Sequence, residues 1–471
     1  MEISAFKGYR YDSSVVGDAG ECIAPPYDII DLEQQQRLYE QHECNIVRII
    51  KGKTKPGDKE GDNVYTRARD TLLDFIKKGV LKQDPRESIY VYAQDFTVGA
   101  NNFRRSGFIA LGKLEAYGGN IKAHEQTLSG PKADRLNLMR ATKSQTGQIF
   151  MLYSDPAKTV DKLLEQACQT RQLLRHTDDE GVTHRLYAIT DPQQISAIKN
   201  AMRDKSIFIA DGHHRFETAL NYINESGITA AGYCMMTFVN THNEGLVVLP
   251  THRLLKNIGD FDAAEYMAKL KLQFDVARLE YNNQEEKTRK KQEMTDALML
   301  ERENGENAVG MYFNDGAFYV ATLRDKTAMA EAAPQRSRAW RQLDVTVLHK
   351  LMLENLLGID EAALAAQTNV EYVKDIGGAT EQAIAKVDAG THQGLFFLNQ
   401  TRPQQVEDVA AAGEKMPQKS TFFFPKIFSG LVINVLVSSC CGRSVTPAKA
   451  GVHGHESGFS AQENGFPLAR E

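Results

Sequence analysis

Ser206-Ile-Phe-Ile-Ala-Asp-Gly-His-His-Arg-Phe-Glu-Thr-Ala-Leu220 is the stretch whose reading decides the fold. Ile207 to Ala210 is a short apolar run with β-branched content, which predicts a buried strand. Asp211-Gly212 is a turn signal. Phe216, Ala219, Leu220 and Ile223 then recur at helical spacing, so the order is strand, glycine turn, helix. Such a junction leaves unpaired backbone N–H groups and a partial positive charge at the helix start, which suits a phosphate. Gly212 lets a ligand come close to the backbone because no Cβ stands in the way. His213, His214 and Arg215 add donors in the first turn, and a guanidinium can hold a phosphate through two hydrogen bonds. Asp211, at the carboxyl end of the strand, is placed to hold a hydrated Mg²⁺. An asparagine there is expected to keep the shape and the helix cap, and so the stability.

Two plainer readings stand beside this one. The first is an Asp-capped helix whose histidines are ordinary surface residues. The second is chelation by His213 and His214, which is awkward because adjacent helical residues diverge by about 100°. Five functional residues in a row favour an anion site, and the loop is read as the active-site loop.

Working outward, the periodicities predict a mixed α/β protein of the α+β class. Before the loop come a helix from near Asp31, a strand over Asn45–Ile50, and a helix from Tyr65 to Lys78. A hairpin follows, with Ile89–Thr97 and Arg105–Leu111 flanking Gly99-Ala-Asn-Asn102. Ala123-His-Glu-Gln126 leads into a helix near Pro131 that also carries Lys132 and Arg135. A glutamate beside a histidine is a candidate general base, although a solvated helix entry reads the same way. After the loop, Tyr233–Val239 and Gly245–Leu249 predict a hairpin whose exit bears Thr251-His-Arg253, a second compact basic group. Residues 260–299 are highly charged and read as mostly helical. Gly310–Leu323 is a hairpin turning at Asn314-Asp-Gly316, and Asp344–Leu357 a helix closed by Gly358. Lys415–Lys426 is a basic, hydroxyl-bearing loop. The domain boundaries expected are 1–120 (an α/β region), 121–258 (the core with both motifs), 259–437 (an α/β region giving the Lys-Ser-Thr loop) and 438–471 (a disordered tail). Part of that tail, Ser444 to His453, resembles the translated product of a dispersed bacterial repeat.

Composition sets the outer bounds. A chain of 471 residues with 42% hydrophobic and 25% charged residues is an ordinary globular composition. The net charge of −5 speaks against broad nucleic-acid binding but leaves room for one local basic site. Six cysteines without a regular framework fit reduced thiols. No signal peptide and no 18-residue apolar run is read, so a cytoplasmic location away from membranes is expected.

Taken together, Ala123-His-Glu-Gln126, Asp211-Gly-His-His-Arg215 and Lys419-Ser-Thr421 with Pro425-Lys426 resemble, in the same order, the ParB-like free-serine kinases. That group shares its Asp-Gly-His-His-Arg turn with the ParB and sulfiredoxin fold. Residues 1 to about 436 are also similar to a widespread bacterial and archaeal family of unknown function. Its further marks stand here as Ala24-Pro-Pro-Tyr-Asp28, Leu249-Pro-Thr-His-Arg253 and Lys415 to Thr421.

The resemblance implies a ParB/sulfiredoxin-like nucleotide-binding core with additional α/β elements. It implies phosphoryl transfer from ATP, ADP or pyrophosphate, with Mg²⁺, to the hydroxyl of free serine or a similar hydroxylated metabolite. Glu125 would be the catalytic base and Asp211 a second acidic residue and the metal ligand. Gly212, His213, His214, Arg215, Lys419, Ser420 and Thr421 would hold the nucleotide. His124, Lys132, Arg135, His252 and Arg253 are the candidate substrate contacts. A ParB-like nucleotide switch is the alternative. A sulfiredoxin-like activity would need a cysteine at the phosphate loop, and none lies between Cys168 and Cys234.

Overall fold

The strand expected over Ile207–Ala210 runs from Ile207 to Asp211 in the computed structural model, which describes residues 1–116, 119–122 and 129–436. His124, Glu125 and the tail from residue 438 therefore lie outside the described residues. The strand lies in a nine-stranded mixed sheet, between Ile121–Lys122, to which it is parallel, and Ile149–Tyr153, to which it is antiparallel. The sheet continues through Tyr233–Asn240, Asn101–Lys113, Ile89–Val98 and Thr183–Ile189 to Leu174–Thr177. Ile3–Ser4 pairs with Asn101–Lys113 off this path.

Both faces of this sheet are covered. Along the Asp211 strand, Ile207 and Ile209 join one buried cluster and Phe208 and Ala210 the other. That explains the unbroken apolar run, since a strand covered on both faces shows no polar alternation. The helix after it, His213–Ser226, buries Phe216, Ala219 and Tyr222 and ends at Gly227, whose φ of +62° favours glycine. Phe216 is 0% exposed, and truncating it to alanine would cost about 3–5 kcal/mol.

A second sheet is six-stranded and antiparallel throughout. Its order is Phe274–Glu280, Ala317–Leu323, Ala308–Tyr312, Gly394–Phe397, Thr251–Leu255 and Val370–Lys374. It too is covered on both sides, with Met311 and Phe396 in one cluster and Tyr312 and Phe397 in the other. A two-stranded ribbon, Val247–Leu249 with Phe422–Phe424, adjoins it, because Leu249 is followed after Pro250 by the strand Thr251–Leu255. The architecture is of the α+β class, as expected.

Two local expectations are corrected and one is refined. Asn45–Ile50 is not a strand: Val47–Ile50 forms a helical turn. Asn45 decides this, because its Oδ1 accepts from Val47 N (2.9 Å) while its Nδ2 donates to the carbonyls of Glu21 (2.7 Å) and Ile23 (3.1 Å). Tyr233–Asn240 and Val247–Leu249 do not pair as a hairpin. The first is buried along nearly all its length and sits inside the large sheet. Asn240 fixes its end through Asp155 O (2.8 Å) and Asp161 Oδ2 (2.7 Å). Residues 260–299 are mostly helical, as read, but hold one strand. The strand Phe274–Glu280 divides the helices Ala263–Leu270 and Gln284–Glu303, and it is an edge strand whose charges hide its period. The Gly310–Leu323 hairpin and the helical segment ending at Gly358 stand as read.

Candidate functional site

At the end of its strand the chain bulges between Ile209 and Asp211, and Gly212 then turns it with φ +92° as the N-cap of the next helix. A Cβ on Gly212 would lie 2.9 Å from Arg215 Nε, so the glycine serves both the backbone angle and the return of Arg215 over the turn. Arg215 donates to Asp211 Oδ2 (2.8 Å) and to the carbonyl of Gln148. The other oxygen of Asp211 accepts from Lys426 Nζ at 2.9 Å. Burial alone would raise the Asp211 carboxyl, but Lys426 and then Arg215 outweigh it and hold the group well below the usual carboxylate range.

Lys426 comes from 215 residues further along the chain, and two buried arginines fix its loop. Arg105, 1% exposed, donates to the carbonyls of Phe424 (3.1 Å) and Pro425 and to Gln94 Oε1 (3.2 Å by Nε). Gln94 Nε2 in turn donates to the Lys426 carbonyl at 2.9 Å. Arg253, 0% exposed, donates to the carbonyls of Thr251 (2.5 Å) and Lys419 (3.2 Å) and to His349 Nε2 (3.2 Å). Lys419 sits at φ +57°, a left-handed conformation that a lysine adopts at some cost. The Arg253 bond to its carbonyl helps to hold it there.

The loop gathers positive charge. Lys374 Nζ lies 4.5 Å from the centre of the Phe422 ring and Lys426 Nζ 4.6 Å from the same ring. Burial lowers the pKa of Lys374, and the fields of Lys426 and Lys419 lower it further, against the opposing pull of Asp28 and Glu180. Such a group is stabilised by an anion placed among the three lysines.

The first segment of the chain closes the other side. Ala24 and Ser429 exchange backbone hydrogen bonds of 3.2 and 2.8 Å. Tyr27 lies under the Arg135 guanidinium, 3.9 Å from ring centre to carbon, and Arg135 donates to the Ile50 carbonyl at 2.8 Å. Tyr27, Arg135, Gly147, Arg215 and Ser429 line a cavity of about 50 Å³. Lys132 forms an ion pair with Glu217 on the Asp211-side helix.

Of the residues singled out in the sequence, Asp211, Gly212, Arg215 and Lys426 are brought together directly, with Arg135 across the cavity. Lys419 is tied in through Arg253. Ser420 turns its hydroxyl to the Pro417 carbonyl (2.6 Å), and Thr421 is partly buried beside it. His213 is buried and His214 partly buried in the first helical turn.

The geometry gives several of the assigned residues partners within the protein. Both oxygens of Asp211 bond cationic side chains, Arg215 and Lys426. Among the described residues no three His, Cys, Asp or Glu side chains are grouped to hold a metal. Nor does Asp211 cap the helix; Gly212 holds that position. Arg215 gives two of its five N–H donors to Asp211 and Gln148 and also lines the cavity. His252, 4% exposed, accepts from Leu398 N (3.2 Å), and burial takes its pKa down to about 4. His252 and Arg253 are therefore buried side chains with partners inside the protein, and Arg253 supports the loop through the Lys419 carbonyl. The residues missed as site members are Lys374, Tyr27 and Lys426. Lys426 had a signal, since it closes the quoted Pro-Lys pair, whereas Lys374 ends an unremarked strand. Among the described residues no helix is long and apolar enough to cross a membrane.

Comparison with known proteins adds the following. The profile of a family described as "Protein of unknown function (DUF1015)" matches residues 3–346. No curated protein matches. Among solved structures, a conserved hypothetical protein from Pyrococcus furiosus is similar at 15% identity and a TM-score of 0.31, over 65% of this chain and 89% of that one. A structure described as "Free serine kinase in complex with AMP" is similar at 13% identity and a TM-score of 0.32, over 64% and 83%. SbnI with a C-terminal truncation, from Staphylococcus aureus, is similar at 10% identity and a TM-score of 0.32, over 69% and 87%.

Proposed function

The chain belongs to the DUF1015 family, and from that premise we propose that it binds a nucleotide by its phosphates where Asp211 meets Lys426, and transfers a phosphoryl group to the hydroxyl of a small metabolite. Free L-serine is the acceptor that the motif resemblance favours. The observation that carries the reading is the meeting of Lys374 and Lys426 over Phe422, with Lys419 close enough for its charge to lower the Lys374 pKa, beside a helix N-terminus and with Arg215 and Lys426 bonded to Asp211. Fixed positive charge with an exit for a phosphate chain is most of what phosphoryl transfer asks of a protein.

In this reading Lys426 and Lys374 neutralise the donor's phosphates, and Asp211 holds Lys426 in place. Arg215 closes the turn under the helix N-terminus, where the first backbone N–H groups meet phosphate oxygens. Glu125 takes the proton of the acceptor hydroxyl as its oxygen bonds to the terminal phosphorus. The bond from that phosphorus to its bridging oxygen breaks, and the departing nucleoside phosphate (or phosphate, from pyrophosphate) carries away the charge.

The test is phosphorus NMR of the purified protein with ATP, ADP or pyrophosphate and a panel of hydroxylated metabolites. A new phosphomonoester is expected with one acceptor. Glu125→Gln should slow its formation by roughly 10²–10⁴-fold and leave nucleotide affinity unchanged. Nucleotide hydrolysis that no acceptor redirects would turn the assignment towards a regulatory switch.

A further inference from the structure

The cavity between Arg135 and Arg215 holds about 50 Å³, room for roughly four water-sized groups at ~10–15 Å³ each. Among the described residues no aspartate or glutamate lines it. Tyr27, Thr146 and Ser429 bring hydroxyls to the wall, and Ile50, Leu138 and Met139 bring apolar carbon. Gly147, also in the wall, locates two of the polar groups. A Cβ on it would lie 3.3 Å from Ser429 Oγ and 3.7 Å from Arg215 Nη1. Both atoms therefore border the space that the missing side chain leaves open.

The arginines keep charge and donors to spare. Arg135 donates to Asp134 Oδ2 through Nε (2.8 Å) and Nη2 (2.5 Å) and to the Ile50 carbonyl through Nη1 (2.8 Å), which leaves it two N–H groups of five. Arg215 has three left after Asp211 and Gln148. Asp211 is shared with Lys426, so Asp134 and Asp211 stand against three cations. Lys132 and Glu217, on the two flanking helices, neutralise each other. The Tyr27 hydroxyl feels the balance. Burial raises its pKa, but Arg215 and then Arg135 lower it by more than Asp28 and Asp134 raise it.

We propose that this cavity receives the carboxylate of the phosphoryl acceptor, so that the acceptors are small hydroxy acids and hydroxy amino acids rather than plain alcohols or sugars. The spare N–H groups of Arg135 and Arg215 bind its oxygens as charge-assisted donors, and Ser429 adds a hydroxyl. A carboxylate matches the volume better than a phosphate, which is larger and brings more charge against the apolar part of the wall. The proposal deepens the phosphoryl-transfer reading and rests on it for the fate of the acceptor, whereas the carboxylate site itself is tested by binding.

Calorimetric titration of the full chain, without nucleotide, compares L-serine with ethanolamine and glycerate with glycerol, each pair differing in the carboxylate. Inorganic phosphate is a further probe. Saturable binding is expected for serine, glycerate or both, at least about tenfold tighter than for the partner that lacks the carboxylate. Gly147 has no positive φ, so Gly147→Ala fits the backbone and puts a methyl group into the space. It should weaken carboxylate binding at least about tenfold with the melting temperature nearly unchanged. Arg135→Gln should weaken it too, with circular dichroism confirming the fold. Equal affinity within both pairs, no carboxylate binding at millimolar concentration, or undiminished affinity in the two folded variants would overturn the proposal. Phosphate binding that Gly147→Ala abolishes, with no carboxylate bound, would give the cavity to the donor and overturn it as well. Carboxylate binding with no phosphomonoester formed, by phosphorus NMR with nucleotide, would instead sink the transfer reading and leave the carboxylate site in place.

Discussion

Asp211 and Asp344 are both partly buried aspartates, one at the end of a strand in the large sheet and the other beside the smaller sheet, and their surroundings push them in opposite directions. Asp211 bonds Lys426 and Arg215, and stays ionised far below the usual carboxylate range. Asp344 bonds the side-chain amides of Asn307 (2.7 Å) and Asn399 (3.3 Å), and burial raises it to about 6. Neutral amides give a carboxylate hydrogen bonds but do not offset its desolvation, whereas full charges do. The difference teaches that the Asp211 junction is organised around excess positive charge. Burial is common to both places; converging cations are not.

The largest expected effect breaks the Asp211 side of that contrast. Asp211→Asn leaves Lys426 and Arg215 without their counter-charge and should destabilise the fold by about 3 kcal/mol, since removing one partner of a buried pair is costly. This reverses the expectation from sequence, in which an asparagine kept the cap and so the stability. Urea denaturation checks it, and Lys426→Met in the same background should add much less than it costs alone. Additive losses would mean that the two side chains do not act as a pair.

A smaller loss is expected at Arg253→Met. It leaves the carbonyls of Thr251 and Lys419 without their buried donor, at roughly 1–3 kcal/mol in all, partly offset by relief of a buried charge. An unfolding curve that superimposes on the wild type would show that Arg253 does not hold the Lys419 turn.

The two aspartates should also oppose each other in pH dependence. The stability that Asp211 contributes is present above the unfolded carboxylate pKa of about 3.9 and is lost as pH falls through its depressed folded value. For Asp344 the folded pKa is the higher one, so its contribution is complete below about 3.9 and is lost as pH rises through about 6. Carbon-detected NMR should place the Asp344 midpoint near 6 and find Asp211 ionised throughout the mildly acid range. A midpoint for Asp344 near that of a free aspartate would erase the contrast.

The local parts of this arrangement were readable in the sequence because their causes are local. The Asp-Gly turn, the apolar run before it and the helical spacing after it specify the strand–turn–helix, and Asn314-Asp-Gly316 specifies its hairpin. What the sequence hid depends on distant partners. Asn45 turns a β-branched segment into a helical turn by bonding Glu21 and Ile23, and Tyr233–Asn240 finds its neighbours on other strands. The same holds at the site. The pairing of Asp211 with Lys426 was hidden because the two lie 215 residues apart. His252 and Arg253 were read as substrate contacts because the strands that flank theirs in the sheet, Val370–Lys374 and Gly394–Phe397, lie more than 100 residues away. Lys374 has no motif around it, and only the sheet brings it beside Phe422.

The smallest effect on stability, and the most direct test of the central claim, is expected at Lys374. This lysine is repelled by Lys426 and Lys419, so Lys374→Gln should leave the melting temperature unchanged or slightly raised. If the three lysines receive phosphates, losing one charge-assisted contact should weaken nucleotide binding by about 1.5–3 kcal/mol, or roughly tenfold or more. Calorimetric titration of ATP and ADP into the wild type and Lys374→Gln measures this directly. The account predicts saturable binding that weakens at least tenfold in the variant, with no loss of melting temperature. Equal affinity in the two proteins, or no nucleotide binding by the wild type, would contradict it.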